Sequence, residues 1–117
     1  MDQEIMHNMY EITRIMQEIA NIVKYFYQIE FNEDDVYYYR FITHLKFFAK
    51  RLVEHHTFPE DANDDLWMVI RERYPEAFQC TERSRQFVDQ KYQYAVSKEE
   101  QLYLTIHIER VVNKTKA

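Results

Sequence analysis

The chain runs to 117 residues without a single glycine, where roughly 7% is usual. Tight β-hairpins and left-handed turns lean on glycine because it alone reaches positive φ at no steric cost. Phosphate-cradling loops and dinucleotide-binding turns need it so that the backbone can approach the ligand closely. A glycine-free sequence is therefore poorly suited to an all-β fold, and to P-loop or dinucleotide chemistry. It suits helices joined by irregular connections. Hydrophobic residues make up 46% and aromatic residues 16%, so the chain is globular and can bury one core. Its length allows one domain, residues 1–117, with a C-terminal tail from about 113 to 117 expected to be disordered.

Hydrophobic periodicity predicts an all-α fold, a compact bundle of five helices. The first covers about 3–27, with Ile5, Met9, Ile12, Met16, Ile19, Val23 and Phe26 on one face, widened by Ile15 and Ile22. Asn32 can cap a second helix, with Asp35 adding charge to its first turn. Tyr37, Phe41, Leu45, Phe48 and Leu52 would face inward there, and the helix would end near Glu54. "HHTFPEDAN" reads as the longest loop, marked by Pro59. A third helix over about 63–73 would turn Leu66, Ile70 and Trp67 inward. Pro75 suits the first turn of a fourth. Two stripes compete there: Phe78, Val88, Tyr92 and Ala95, or Cys80, Phe87 and Tyr94. Ser97 and Glu100 in "SKEE" form a capping box opening the fifth. Leu102, Leu104, Ile106 and Ile108 alternate as in a strand, but the capping box and the lack of a second strand to pair with favour helix.

The charge balance excludes several functions. Net charge is −5, with no clustered basic stripe to neutralise phosphates, so the chain by itself is a poor nucleic-acid binder. No stretch approaches ~18 uninterrupted apolar residues, so nothing is expected to span a membrane. The opening "MDQEIMHNMY" is acidic and polar, unlike a secretory signal. Cys80 stands alone, and can form neither an internal disulfide nor a zinc site. Both features fit a cytoplasmic, reducing compartment. No cofactor is implied.

"RFITHLKFFAKRL" places His44 inside an apolar helix face, flanked by Arg40 and Arg51. "LYLTIHIERVV" repeats the pattern with His107 and Arg110. Three readings apply. Either histidine can be a core-edge group hydrogen-bonded to a neighbour. Either can be a nucleophile, because a neutral ring nitrogen can accept a phosphoryl group, whose oxygens the arginines would hold by charge-assisted bonds. The third is a metal site. Bundle di-iron sites need two Glu-x-x-His motifs, and only Glu4 with His7 has that spacing. His55 and His56 point about 100° apart on a helix and read as surface residues at its end. Nothing pairs Ser84, Ser97 or Cys80 with a base, so hydrolytic chemistry is unsupported and no enzyme activity is expected; Cys80 reads as a small buried hydrophobe. Tyr37, Tyr38 and Tyr39 occupy successive sides of one helix. They cannot all be buried, which leaves aromatic surface for a second subunit.

Together these stretches resemble the two histidine-bearing helices of the PTS regulation domain. That domain occurs in transcriptional antiterminators of the BglG and LicT type, and the wording is most like the second of their two copies. "IANIVKYFYQIEFNEDD" and "RERYPEAFQC" extend the likeness to nearly the whole chain. The resemblance implies a dimer of five-helix bundles, with His44 and His107 as the phosphorylated residues. It implies HPr or a sugar-specific enzyme II component as donor, and control of an attached nucleic-acid-binding domain that these residues do not include. Arg40, Arg51 and Arg110 are then the candidates to pair with phosphate. The competing expectation is a plain helical dimerisation module whose histidines are structural.

Overall fold

A computed structural model describes residues 2–56 and 64–116. Within them lie α1 (Asp2–Tyr27), α2 (Val36–Val53), α3 (Asp64–Arg73), α4 (Pro75–Tyr92) and α5 (Lys98–Lys116), and no strand. The expected all-α bundle of five helices is what forms. The "LYLTIHI" segment is helical, and Leu102, Leu104, Thr105, Ile108, Val111 and Val112 of α5 are buried. α5 continues to Lys116, past residue 113, where the tail was expected to begin. The segment around Pro59 lies outside the described residues.

Helix ends show how the chain manages without glycine. Gln28, His55 and Gln93 all adopt positive φ, at 53°, 56° and 51°. After α2, His55 N–H donates to the Leu52 carbonyl and His56 N–H to the Arg51 carbonyl. That is the paired bonding of a Schellman motif, with His55 at the left-handed position. Ile29 N–H closes the same six-residue ring onto Lys24 after α1. Gln93 ends α4 with its N–H on the Asp89 carbonyl. Each non-glycine residue held there costs roughly 1 kcal/mol or more.

At α2 the expected cap is corrected. Asp35 is the N-cap, its side chain accepting from Tyr37 N–H, while Asn32 sits a turn earlier and accepts from Asp34 N–H. A carboxylate two residues before the receiving N–H also meets the positive end of the helix dipole, which Asn32 is too far away to do.

The core gathers Ile15, Ile19 and Val23 of α1, Phe41, Leu45 and Phe48 of α2, Val88 of α4, and Leu104, Ile108 and Val111 of α5. The α1 stripe is only partly buried. Ile5 and Met9 are 52% and 63% exposed, because the first turns of the helix project beyond the elements that pack on its later half. In α3 only Ile70 is buried and Leu66 is exposed. Neither stripe proposed for α4 faces inward as drawn. The buried face is Ala77, Cys80, Thr81, Ser84 and Val88, small residues that let α4 approach α5 closely. Thr81 and Thr105 hydrogen-bond across that contact at 2.7 Å. Cys80 is a buried, free thiol as expected, its pKa pushed up to about 12 by burial. Among the described residues no helix is long and apolar enough to cross a membrane.

Candidate functional site

α2 and α5 pack side by side. Phe41, Leu45, Phe48, Ala49 and Leu52 recur at helical spacing and turn one face of α2 to the core. His44 lies at the edge of that face. On α5, Leu104, Ile108 and Val111 do the same, and His107 lies at the corresponding edge. The two edges meet. The imidazoles stack with centroids 4.6 Å apart and planes 28° from parallel.

Charged partners reveal the direction of the contact. Arg51, two turns beyond His44, donates from Nε to Glu100 Oε2 at 3.2 Å, and its Nη2 lies 3.2 Å from the same oxygen as an ion pair. Glu100 stands two turns before His107. Neighbours at +7 on one helix and −7 on the other mean that α2 and α5 run antiparallel. Arg40 and Arg110 therefore flank the opposite end of the pair. Arg40 lies over the Tyr37 ring at 5.8 Å. Arg110 borders an open cleft of about 420 Å³, lined also by Tyr37, Tyr74, Glu109, Asn113 and Lys114.

Both histidines are held neutral. His44 has its pKa lowered from 6.5 to about 3, first by burial, then by His107 and Arg51. His107 is lowered too, by burial and then by Arg110 and Arg40. A positive field and a dry setting both disfavour imidazolium. His44 Nε2 is buried without a hydrogen-bond partner among the described residues, so the core-edge reading, which requires such a bond, is not met at that atom. Among the described residues no group of three or more histidine, cysteine, aspartate or glutamate side chains is placed to hold a metal.

The structure thus brings His44, His107 and Arg51 into one cluster, with Arg40 and Arg110 at its edge. His55 and His56 are exposed at the end of α2, and His7 is exposed on α1. One member was missed in the sequence: Glu100. Its capping role is real, since its N–H donates to Ser97 Oγ at 3.1 Å. Its side chain, however, is 1% exposed and accepts from Tyr94 Oη at 2.9 Å as well as from Arg51. Tyr94 Oη also reaches the His56 carbonyl, 3.1 Å away. The available signal was the mirrored spacing, a cation seven residues after one histidine and an anion seven before the other.

Comparison with known proteins gives a consistent picture. The family model of the PRD domain matches residues 17–111. The chain is 48% identical over 111 residues to the transcription antiterminator LicT of Bacillus subtilis, covering 95% of this chain and 40% of that protein. It is also 48% identical over 101 residues to the beta-glucoside operon antiterminator of Dickeya chrysanthemi, covering 86% and 35%. The PtsGHI operon antiterminator of Bacillus subtilis is a more distant relative, 24% identical over 102 residues, covering 87% and 36%. The chain spans about two-fifths or less of the length of these curated relatives.

Proposed function

The chain belongs to the PRD domain family, and from that premise we propose that it is a single regulatory domain of a transcriptional antiterminator or activator, phosphorylated on His44 and His107. The donors are phosphoproteins of the sugar phosphotransferase system, HPr or an enzyme II component, acting in the cytoplasm. The domain is not itself an enzyme. The lone pair of a neutral imidazole nitrogen bonds to phosphorus as the donor's phosphoryl bond breaks, its electron pair staying on the donor side chain, which takes up a proton equivalent to the one released from the other ring nitrogen; no water is consumed. The stacked pair of imidazoles, with Arg51 beside it and Arg40 and Arg110 at its edge, is the observation that carries this reading. Neutrality supplies the nucleophile. The guanidinium groups supply compensation for roughly −1.5 to −2 added charges.

Phosphorylation acts through a dimer. Phe47 and Tyr103 stand one turn from His44 and His107, on the same side of the pair, and are 53% and 40% exposed. Aromatic surface beside a switchable charge suits a subunit interface whose two arrangements differ by a few kcal/mol. The attached effector domain binds the nucleic acid. Incubation with phosphorylated HPr tests the proposal: His44→Ala and His107→Ala each lose part of the label, and the double variant loses essentially all of it. Undiminished labelling of the double variant would remove the central claim.

A further inference from the structure

Among the described residues Arg51 holds the Glu100 carboxylate at rest, and the proposed phosphoryl group would arrive two turns away on His44. We infer that Glu100 is a resting-state stand-in for that phosphoryl group, and that phosphorylation of His44 proceeds with exchange of Arg51 from the carboxylate to the phosphoryl oxygens. The inference rests on the phosphorylation reading above and adds a positioning residue to it.

Three observations carry it. First, the resting pair is geometrically loose. A hydrogen bond from Nε to Oε2 at 3.2 Å joins them, with Nη2 only in ion-pair range of the same oxygen, whereas charge-assisted bonds usually close to roughly 2.7–2.9 Å and favour a two-oxygen fork. Second, the competitor is stronger. A phosphoryl group brings roughly −1.5 to −2 charges and three acceptor oxygens, against one charge on the carboxylate. Third, Glu100 is not orphaned when Arg51 leaves. Oε1 lies 2.9 Å from the Tyr94 hydroxyl, nearer than the His56 carbonyl that competes for its one proton at 3.1 Å, and 3.5 Å from Ser97 Oγ. A buried charge stripped of all partners would oppose the exchange strongly; one that retains hydroxyl donors opposes it less. Arg51 stands two turns from His44 on the same helix and acts on its ring electrostatically, so the exchange asks for a swing of one side chain.

Glu100→Gln is the direct test. It keeps the size of the side chain and an acceptor for Tyr94 Oη, but releases the charge hold on Arg51. The 117-residue chain is incubated with phosphorylated HPr and sampled over time by acid-sparing mass spectrometry. Glu100→Gln should raise the His44 labelling rate several-fold and leave His107, which has Arg40 and Arg110 as its cations, unchanged. The double variant Arg51→Gln with Glu100→Gln should lose the gain. Equal His44 rates in wild type and Glu100→Gln overturn the inference, and so does a gain that survives in the double variant. Absence of label on both histidines of the wild-type chain would instead overturn the underlying reading. A measurement on the wild-type chain avoids dependence on variant folding. The ¹⁵N resonance of Arg51 Nε should move when His44 is phosphorylated; a resonance that stays put contradicts the exchange.

Discussion

His44 combines two properties that normally exclude each other: a polar ring atom with no partner among the described residues, and a place at the edge of the core. Leaving a buried nitrogen unsatisfied costs about 1–3 kcal/mol, so His44→Phe should stabilise the fold by about 1 kcal/mol in urea titrations while abolishing label at that position. A loss of stability would mean that Nε2 is served in solution. The pKa adds a sign. The folded value is about 3 against 6.5 for the free side chain. Between those limits the unfolded chain binds a proton at residue 44 that the folded chain refuses. Stability therefore falls as pH drops from about 6.5 toward 3, with a slope from this group of up to about 1.4 kcal/mol per pH unit. His44→Phe should flatten that limb of a pH–stability curve. Accessibility adds an order. His107 stands one turn from Arg110, which lines the open cleft, while His44 Nε2 is closed off. In a time course of labelling, His107 should lead His44; the reverse order would place the donor on the other face.

At the scale of elements, much could be read from the residues and the failures have physical causes. Five helices, Pro75 at the start of α4 and Ser97 before α5 follow from periodicity and local hydrogen bonding, which are properties of a few neighbouring residues. The inward face of α4 could not be chosen, because Thr81 and Ser84 are polar and become core only through bonds to Thr105 and to the Cys80 carbonyl. Ile5 and Met9 match the stripe of α1 perfectly well; what they lack is a neighbouring helix, and periodicity carries no information about that. The histidine pair was visible as two similar segments, whereas the contact between them and the Glu100 partnership depend on the antiparallel register of α2 and α5. The absence of glycine yields a separate prediction. Gln93→Gly relieves a left-handed cap and should stabilise α4 by about 0.5–1 kcal/mol, the relief being partly offset by greater freedom of the unfolded chain. Thermal melts check it, and a lower midpoint would show that the Gln93 side chain, bonded through Nε2 to the Gln90 carbonyl, outweighs the backbone term.

For the molecule as a whole, the proposed phosphorylation would turn a local charge change into a change of surface. α2 carries His44 and Phe47, α5 carries His107 and Tyr103, and the Arg51–Glu100–Tyr94 chain ties the pair to the end of α2 through the His56 carbonyl. Any shift of the two helices moves the exposed aromatics beside them. Phe47→Asp should weaken self-association by at least about tenfold, about 1.4 kcal/mol, as read by sedimentation over a concentration series; an unchanged association constant would move the interface elsewhere. The most direct test of the account is quantitative phosphohistidine mapping of the wild-type chain after incubation with purified, phosphorylated HPr and enzyme II components. Five histidines are available, and three of them, His7, His55 and His56, serve as internal controls because they are exposed yet lie outside the cluster. The predicted result is phosphate on His107 and His44 and on no other histidine. Phosphate on the exposed histidines with the stacked pair unlabelled would contradict it.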